Sequence, residues 1–212
     1  MKQCAHADRN TMAVILMLAF LLSPVACKKE EPRSERIPAQ AYNPYTTDSV
    51  FDEVKQKLQK DPDDVDALFH LAELYERNGQ YVEATETYKH LIKVKPKAGY
   101  AYFKMGTAYD RINQPAEAIE AFKRAVQYMP KHAVAYNNMG VAYGKLNKYQ
   151  DEIAALKKAI QLRPSYSTAR FNLGMTYLKV GNSKAALQEY ESLKKFDEGT
   201  AESLMKEIKK GT

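Results

Sequence analysis

Apolar residues along most of the chain recur at steps of three and four, the spacing that gives a helix one buried stripe. Val50, Phe51, Val54 and Leu58 form the first stripe after the N-terminal region, and Ala201, Leu204, Met205 and Ile208 form the last. Between them the pattern itself repeats. Pro62, Pro96, Pro130 and Pro164 are each 34 residues apart, as are Tyr75, Tyr109, Tyr143 and Tyr177. Three more columns keep the same step: Ala72, Gly106, Gly140 and Gly174; Leu71, Met105, Met139 and Leu173; Tyr88, Phe122, Leu156 and Tyr190. Chance aligns one column, not five. A period of this length is one helix–turn–helix unit that cannot bury its own apolar flank and must stack on its neighbours. The small-residue column lets paired helices approach closely, and the Tyr and Leu columns fill the space around that contact. Each proline ends one unit and leads into the next. Asn78-Gly79-Gln80, Asn113-Gln114, Leu146-Asn147-Lys148 and Gly181-Asn182 supply Asn and Gly for short turns with left-handed backbone. The expectation is an all-α solenoid of antiparallel helix pairs.

These columns resemble the tetratricopeptide repeat family. The family's small residue in the first helix of each pair (helix A) is matched by Ala72, Gly106, Gly140 and Gly174. Its alanine in the second (helix B) is matched by Ala84, Ala118 and Ala186. The later small or apolar site is Leu91, Ala125, Ala159 or Leu193. The resemblance implies a superhelix with repeats at 65–98, 99–132, 133–166 and 167–200. A half repeat or capping helix over 49–64 precedes them, and a capping helix over 201–212 follows, with Thr200 as its N-cap. Three positions depart from the family pattern. Glu152 holds the helix B alanine site, Arg170 replaces an aromatic, and Glu198 replaces the terminal proline. A carboxylate at 152 is badly placed unless it reaches solvent or the helix pair opens. Arg170 is expected to lay its stem over Tyr136 or Tyr177, and to need a carboxylate partner if it is buried.

The N-terminal region has a different grammar. Residues 12–22, MAVILMLAFLL, are an apolar run preceded by Lys2 and Arg9, too short for a comfortable membrane span and suited to a signal peptide over 1–26. It ends Leu22-Ser23-Pro24-Val25-Ala26-Cys27, which resembles the cleavage and lipidation site of bacterial lipoproteins, with Cys27 the acylated residue. Pro24 stands where that family usually has Leu, and the alternatives are a secreted or periplasmic soluble protein and an uncleaved or cytoplasmic form. Lys28 after the Cys resembles an outer-membrane address. Residues 27–48 then read as the lipid-bearing Cys and a polar tether.

On the family's ligand-facing helix A positions, the first repeat places Asp66, Phe69, His70 and Glu73. The second places Tyr100, Phe103, Lys104, Thr107 and Arg111. The third places Val134, Asn137, Asn138, Val141 and Lys145, and the fourth Thr168, Phe171, Asn172, Met175 and Lys179. Asn side chains can both donate to and accept from an extended peptide backbone. Phe103, Phe171 and Met175 could seat apolar side chains, while Lys104, Arg111, Lys145 and Lys179 would favour an acidic partner. The cation clamp by which some family members hold chaperone tails is incomplete, because Thr168 and Asn172 stand at its third-repeat positions.

The sequence carries no catalytic motif and no spaced Cys/His cluster, so neither an enzyme, a cofactor nor a metal is expected. The formal charge is +6, and removal of Lys2, Asp8 and Arg9 with the signal lowers it by one, to +5. Lysines toward the ends of the B helices and acids toward their starts complement the helix dipole, with Glu120–Arg124 an expected pair. That interleaving excludes a nucleic-acid surface. The expected function is a protein–protein interaction scaffold tethered in the bacterial envelope, binding another envelope protein or an extended peptide segment. The architecture resembles tetratricopeptide lipoproteins that assist type IV pilus assembly. An accessory subunit guiding a polysaccharide or peptidoglycan enzyme, and a self-association module, are the alternatives; the oligomeric state stays open.

Overall fold

A computed structural model of the chain describes residues 47–210, with side chains from residue 49 onward. The signal segment, Cys27 and the tether as far as residue 46 lie outside the described residues. Ten helices follow one another: α1 (Thr47–Lys60), α2 (Val65–Arg77), α3 (Tyr81–Val94), α4 (Gly99–Arg111), α5 (Pro115–Tyr128), α6 (Ala133–Lys145), α7 (Tyr149–Leu162), α8 (Ser167–Lys179), α9 (Ser183–Leu193) and α10 (Glu198–Lys210). The even-numbered helices α2 to α8 are the A helices and begin 34 residues apart; α3, α5, α7 and α9 are their B partners on the same step. α1 stands one step before α3 and so is a lone B helix, burying Phe51 and Val54 against α2.

The turns inside the hairpins explain why the period holds. Gly79, Asn113, Asn147 and Gly181 have φ of 74°, 56°, 57° and 75°, the left-handed conformation that Gly and Asn tolerate. They too are one per repeat. Pro115 occupies the first turn of α5, where its missing N–H costs nothing. Asp64 caps α2, its Oδ1 accepting from the amides of Asp66 and Ala67 at 3.0 Å each. His132 caps α6, its Nδ1 accepting from the Ala135 amide at 3.0 Å.

The core runs between the A and B helices. Phe122 and Leu156 are fully buried, and each lies over the helix A glycine of its own repeat. A Cβ added to Gly106 would stand 2.7 Å from the Phe122 ring, and one on Gly140 2.9 Å from Leu156. The glycine therefore sets the distance between the paired helices. Between repeats, a B-helix lysine lies against the next repeat's column tyrosine: Lys89 over Tyr109 at 5.8 Å and Lys157 over Tyr177 at 5.9 Å. Lys123, held above its ordinary pKa chiefly by Glu120, also feels Tyr143. Three of the four column tyrosines thus have a lysine of the preceding B helix beside them.

Three sequence expectations need correction. Glu120 pairs with Lys123 at 2.7 Å rather than with Arg124, which donates to Gln127 instead at 3.1 Å. Arg170 does not lie over Tyr136 or Tyr177. It is largely buried, finds its carboxylate in Glu189 at 2.8 Å, donates to the Pro164 carbonyl, and places its guanidinium 6.0 Å from the Phe196 ring. The last helix is capped by Asp197, not Thr200. Asp197 accepts from the Thr200 amide at 3.0 Å and from its hydroxyl at 2.8 Å. Without a proline at 198, α9 stops after 11 residues where the other B helices have 14, and α10 starts earlier than the repeat step would place it. Leu204 of α10, fully buried, then takes the place over Gly174 that Tyr190 would hold in strict repetition.

Candidate groove on the A helices

Aromatic rings line the N-terminal half of the A-helix face. Phe69 of α2 lies 5.7 Å from Tyr100, Tyr100 lies 5.8 Å from Phe103, and Phe103 lies 4.6 Å from the capping ring of His132. Tyr100 is half exposed, while Phe103 rests on the buried Phe122 at 6.1 Å. Beneath Phe69 lies Tyr88, whose buried hydroxyl has no partner among the described residues. Burial, reinforced by the charges of Glu76 and Glu73, pushes that phenol well above its usual range.

The groove lysines are mostly committed within the fold. Lys104 of α4 donates to Glu76 of α2 at 2.5 Å and lies 3.6 Å from Glu73. Burial works to lower the pKa of Lys104, but the hydrogen bond to Glu76 and the two carboxylate charges outweigh it and hold the ammonium above its ordinary value. Lys145 of α6 reaches Asp110 of α4 at 2.6 Å. These pairs tie successive A helices together, so two of the four cations expected to greet an acidic partner already have one. Arg111 is exposed at the end of α4, and Lys179 places its ammonium 6.0 Å from the Tyr149 ring. Thr107 spends its hydroxyl on the carbonyl of Phe103 at 3.1 Å.

Amides take over in the C-terminal half. Asn172 of α8 donates to Asn137 Oδ1 at 3.1 Å, and Asn137 of α6 donates to Asn138 Oδ1 at 3.1 Å. Asn137 is buried, so it serves as the link rather than as a contact surface. The ends of the chain, the Asn138 amide nitrogen and the Asn172 amide oxygen, have no protein partner among the described residues. One donor and one acceptor are what an extended backbone needs.

Next to this chain Val141, Gly144, Lys145, Glu152, Asn172, Met175 and Lys179 line a cavity of about 240 Å³ between α6, α7 and α8. Five of these are expected groove residues; Glu152 and Gly144 are not. Glu152, on α7, is 5% exposed, and its Oε2 has no hydrogen-bond donor. A Cβ on Gly144 would stand 2.7 Å from each carboxylate oxygen, so the missing side chain on α6 makes room for the acid on α7. Burial pushes the Glu152 carboxyl up, opposed by the neighbouring Thr176 hydroxyl and by the charge of Lys179. The acid at an alanine column was visible in the sequence. Its inward path was not, because that depends on Gly144 facing it. Phe171 and Met175 lie partly buried against the cluster that α10 completes. Among the described residues no group of three or more His, Cys, Asp or Glu could hold a metal ion, and no helix is long and apolar enough to cross a membrane.

Models of the tetratricopeptide repeat match residues 51–104, 103–167 and 155–188. No curated protein matches the chain. Among solved structures, a crystal structure of MamA protein is 26% identical, with 74% of this chain and 85% of that one covered at a TM-score of 0.69. The crystal structure of YrrB, a tetratricopeptide repeat protein with an unusual peptide-binding site, is 18% identical, with 76% and 84% covered and a TM-score of 0.68. That of PilW, a widely conserved type IV pilus biogenesis factor, is 22% identical, with 78% of each chain covered and a TM-score of 0.64. At those identities the last two speak for the fold alone.

Proposed function

The chain belongs to the tetratricopeptide repeat family, and from that premise we propose that it is a non-enzymatic scaffold whose A-helix groove holds an extended segment of a partner protein. The observation that carries this reading is the amide chain Asn138–Asn137–Asn172, which bridges α6 and α8 and leaves a donor at one end and an acceptor at the other. The Tyr100 and Phe103 rings supply an apolar seat further along the same face. A partner segment would hydrogen-bond its backbone to the amides and pack side chains on the rings. Arg111 and Lys179 remain to favour an acidic group in it; Lys104 and Lys145 do not.

The test is affinity capture from detergent-solubilised envelope, with the parent protein and with a Phe103→Ala/Asn138→Ala variant whose helicity is checked by circular dichroism. Loss of the specific partner in the folded variant supports the groove. An unchanged set of partners sinks it.

The site of action in this reading is the cell envelope, with Cys27 acylated and the repeats held off an outer membrane on the segment that follows. The apolar run 12–22 and the Ala26-Cys27 junction support it. Incorporation of labelled palmitate that disappears in Cys27→Ala is the expected result, and a parent protein that takes up no label refutes the anchor. A role in type IV pilus assembly, the work of PilW, is one form this scaffold could take. Capture of pilus-assembly components by the parent and not by the groove variant would support it.

A further inference from the structure

Glu152 has no counterpart in the other repeats, where Ala84, Ala118 and Ala186 hold its position fully buried. A carboxylate there costs stability, since ionising a buried acid without a donor is expensive. The fold nevertheless makes room for it, with Gly144 standing where the other A helices carry Glu76, Asp110 and Leu178. Two substitutions on different helices thus fit each other and open a cavity onto the groove.

The cavity's own cations form no ion pair with this acid, although the charge of Lys179 is felt at its carboxyl. Lys145, from α6, is held by Asp110 at 2.6 Å, and Lys179, from α8, lies by the ring of Tyr149. Neither forms an ion pair with Glu152. Thr176, also from α8, gives its proton to the Asn172 carbonyl at 2.8 Å. The Asn172 amide oxygen is a second acceptor without a protein donor. The cavity therefore holds two acceptors, lacks a committed donor, and has methylene-packing walls in Val141 and Met175.

We propose that this cavity is a subsite for the ammonium or guanidinium end of a basic side chain in the bound segment, with Glu152 as the counter-ion, Asn172 as second acceptor, and Val141 and Met175 packed on the aliphatic stem. The proposal rests on the groove reading and adds a sequence requirement to it: a lysine or arginine that faces α7 while the backbone lies along the amides. A cation is favoured over a carboxamide because only a charge offsets the burial of an ionised acid. Ligand binding and ionisation of Glu152 are then linked, so affinity rises with pH as the carboxyl releases its proton, until the carboxylate is fully ionised.

The experiment uses the full chain and three small probes of one stem length: n-butylammonium, butyramide and butyrate. Backbone amide shifts of Gly144 and Glu152 are followed by NMR titration. The expected result is saturable binding of n-butylammonium, stronger than of the other two and tightening with pH. It weakens about tenfold or more in Glu152→Gln, as loss of a charge-assisted contact demands. Gly144→Ala, which crowds the carboxylate without removing its charge, should also weaken it. Equal or tighter binding of butyramide or butyrate, or no saturable shift with n-butylammonium, overturns the proposal. The groove reading fails separately. A subsite that binds n-butylammonium, in a protein whose captured partners ignore Phe103→Ala/Asn138→Ala, leaves the pocket standing and removes the groove.

Discussion

At residue scale the most informative position is Glu152. Its carboxyl is pushed up by burial, so the folded protein keeps a proton that the unfolded chain releases earlier. Stability therefore falls as pH rises from the ordinary carboxylate range through the raised folded value, and is greatest below that window. Glu152→Gln keeps the shape and removes the charge. It is expected to stabilise the protein by about 1 kcal/mol at about pH 8 and to have little effect at about pH 4. Urea denaturation at the two pH values checks this, and an equal effect at both would show that charge burial is not the cause. The sequence marked 152 as a departure from its column but could not say where the acid goes. That answer needs Gly144, eight positions earlier on another helix, and Thr176 on a third. Lys104 and Lys145 teach the same lesson in reverse. Their positions on the A helices were legible in the sequence, but their carboxylate partners Glu76 and Asp110 lie on the preceding A helix, and only packing reveals that they are taken.

At element scale the repeat is obeyed until it ends. Each A helix, each left-handed turn residue and the first three B helices keep the 34-residue step because every unit solves the same packing problem with the same residue types. The last unit lacks its proline, and α9 and α10 divide the segment differently. Asp197 begins a new helix, and Leu204 fills the space over Gly174. Leu204→Ala should therefore cost about 3 kcal/mol, the usual range for a fully buried leucine. Tyr190→Ala, at a partly buried site on the edge of the same cluster, should cost less. Denaturant midpoints of the two variants decide the matter; a larger loss at Tyr190 would mean that strict repetition governs this end after all. The stripe Ala201, Leu204, Met205 and Ile208 was readable because periodicity survives a change of partner. The partner itself was not, since a helix's apolar face does not encode which surface covers it.

At the scale of the whole molecule, stability is shared between neighbours. The central apolar cluster joins residues of α2 to α7, whereas α1 adds Phe51 and Val54 to a small cluster with α2. Such an array opens from its less covered end. Native-state hydrogen exchange should show α1 exchanging first and α4 to α7 last. Leu204→Ala should loosen α8 to α10 while leaving α2 and α3 near their parent values. Uniform protection from α1 to α10 would indicate a single cooperative unit instead. The groove is a property of this same scale, for the aromatic row crosses two A helices to reach the cap of a third, and the amide chain joins two.

The sequence by itself determined the class of fold, the unit, its period and the residues that set the helix spacing, because these depend on residue type at fixed separations along one chain. It also named the face on which Tyr100, Phe103, Asn138, Asn172 and Lys179 would stand. Tertiary structure decided which of those side chains are left with something to offer. Hydrogen bonds and ion pairs are filled across helices, between residues whose separation no local pattern predicts: Asn172 to Asn137, Lys145 to Asp110, Arg170 to Glu189. What remains unfilled in the C-terminal half of the groove, the ends of the amide chain and one carboxyl oxygen of Glu152, became visible only once the partners of the neighbouring lysines and amides were known.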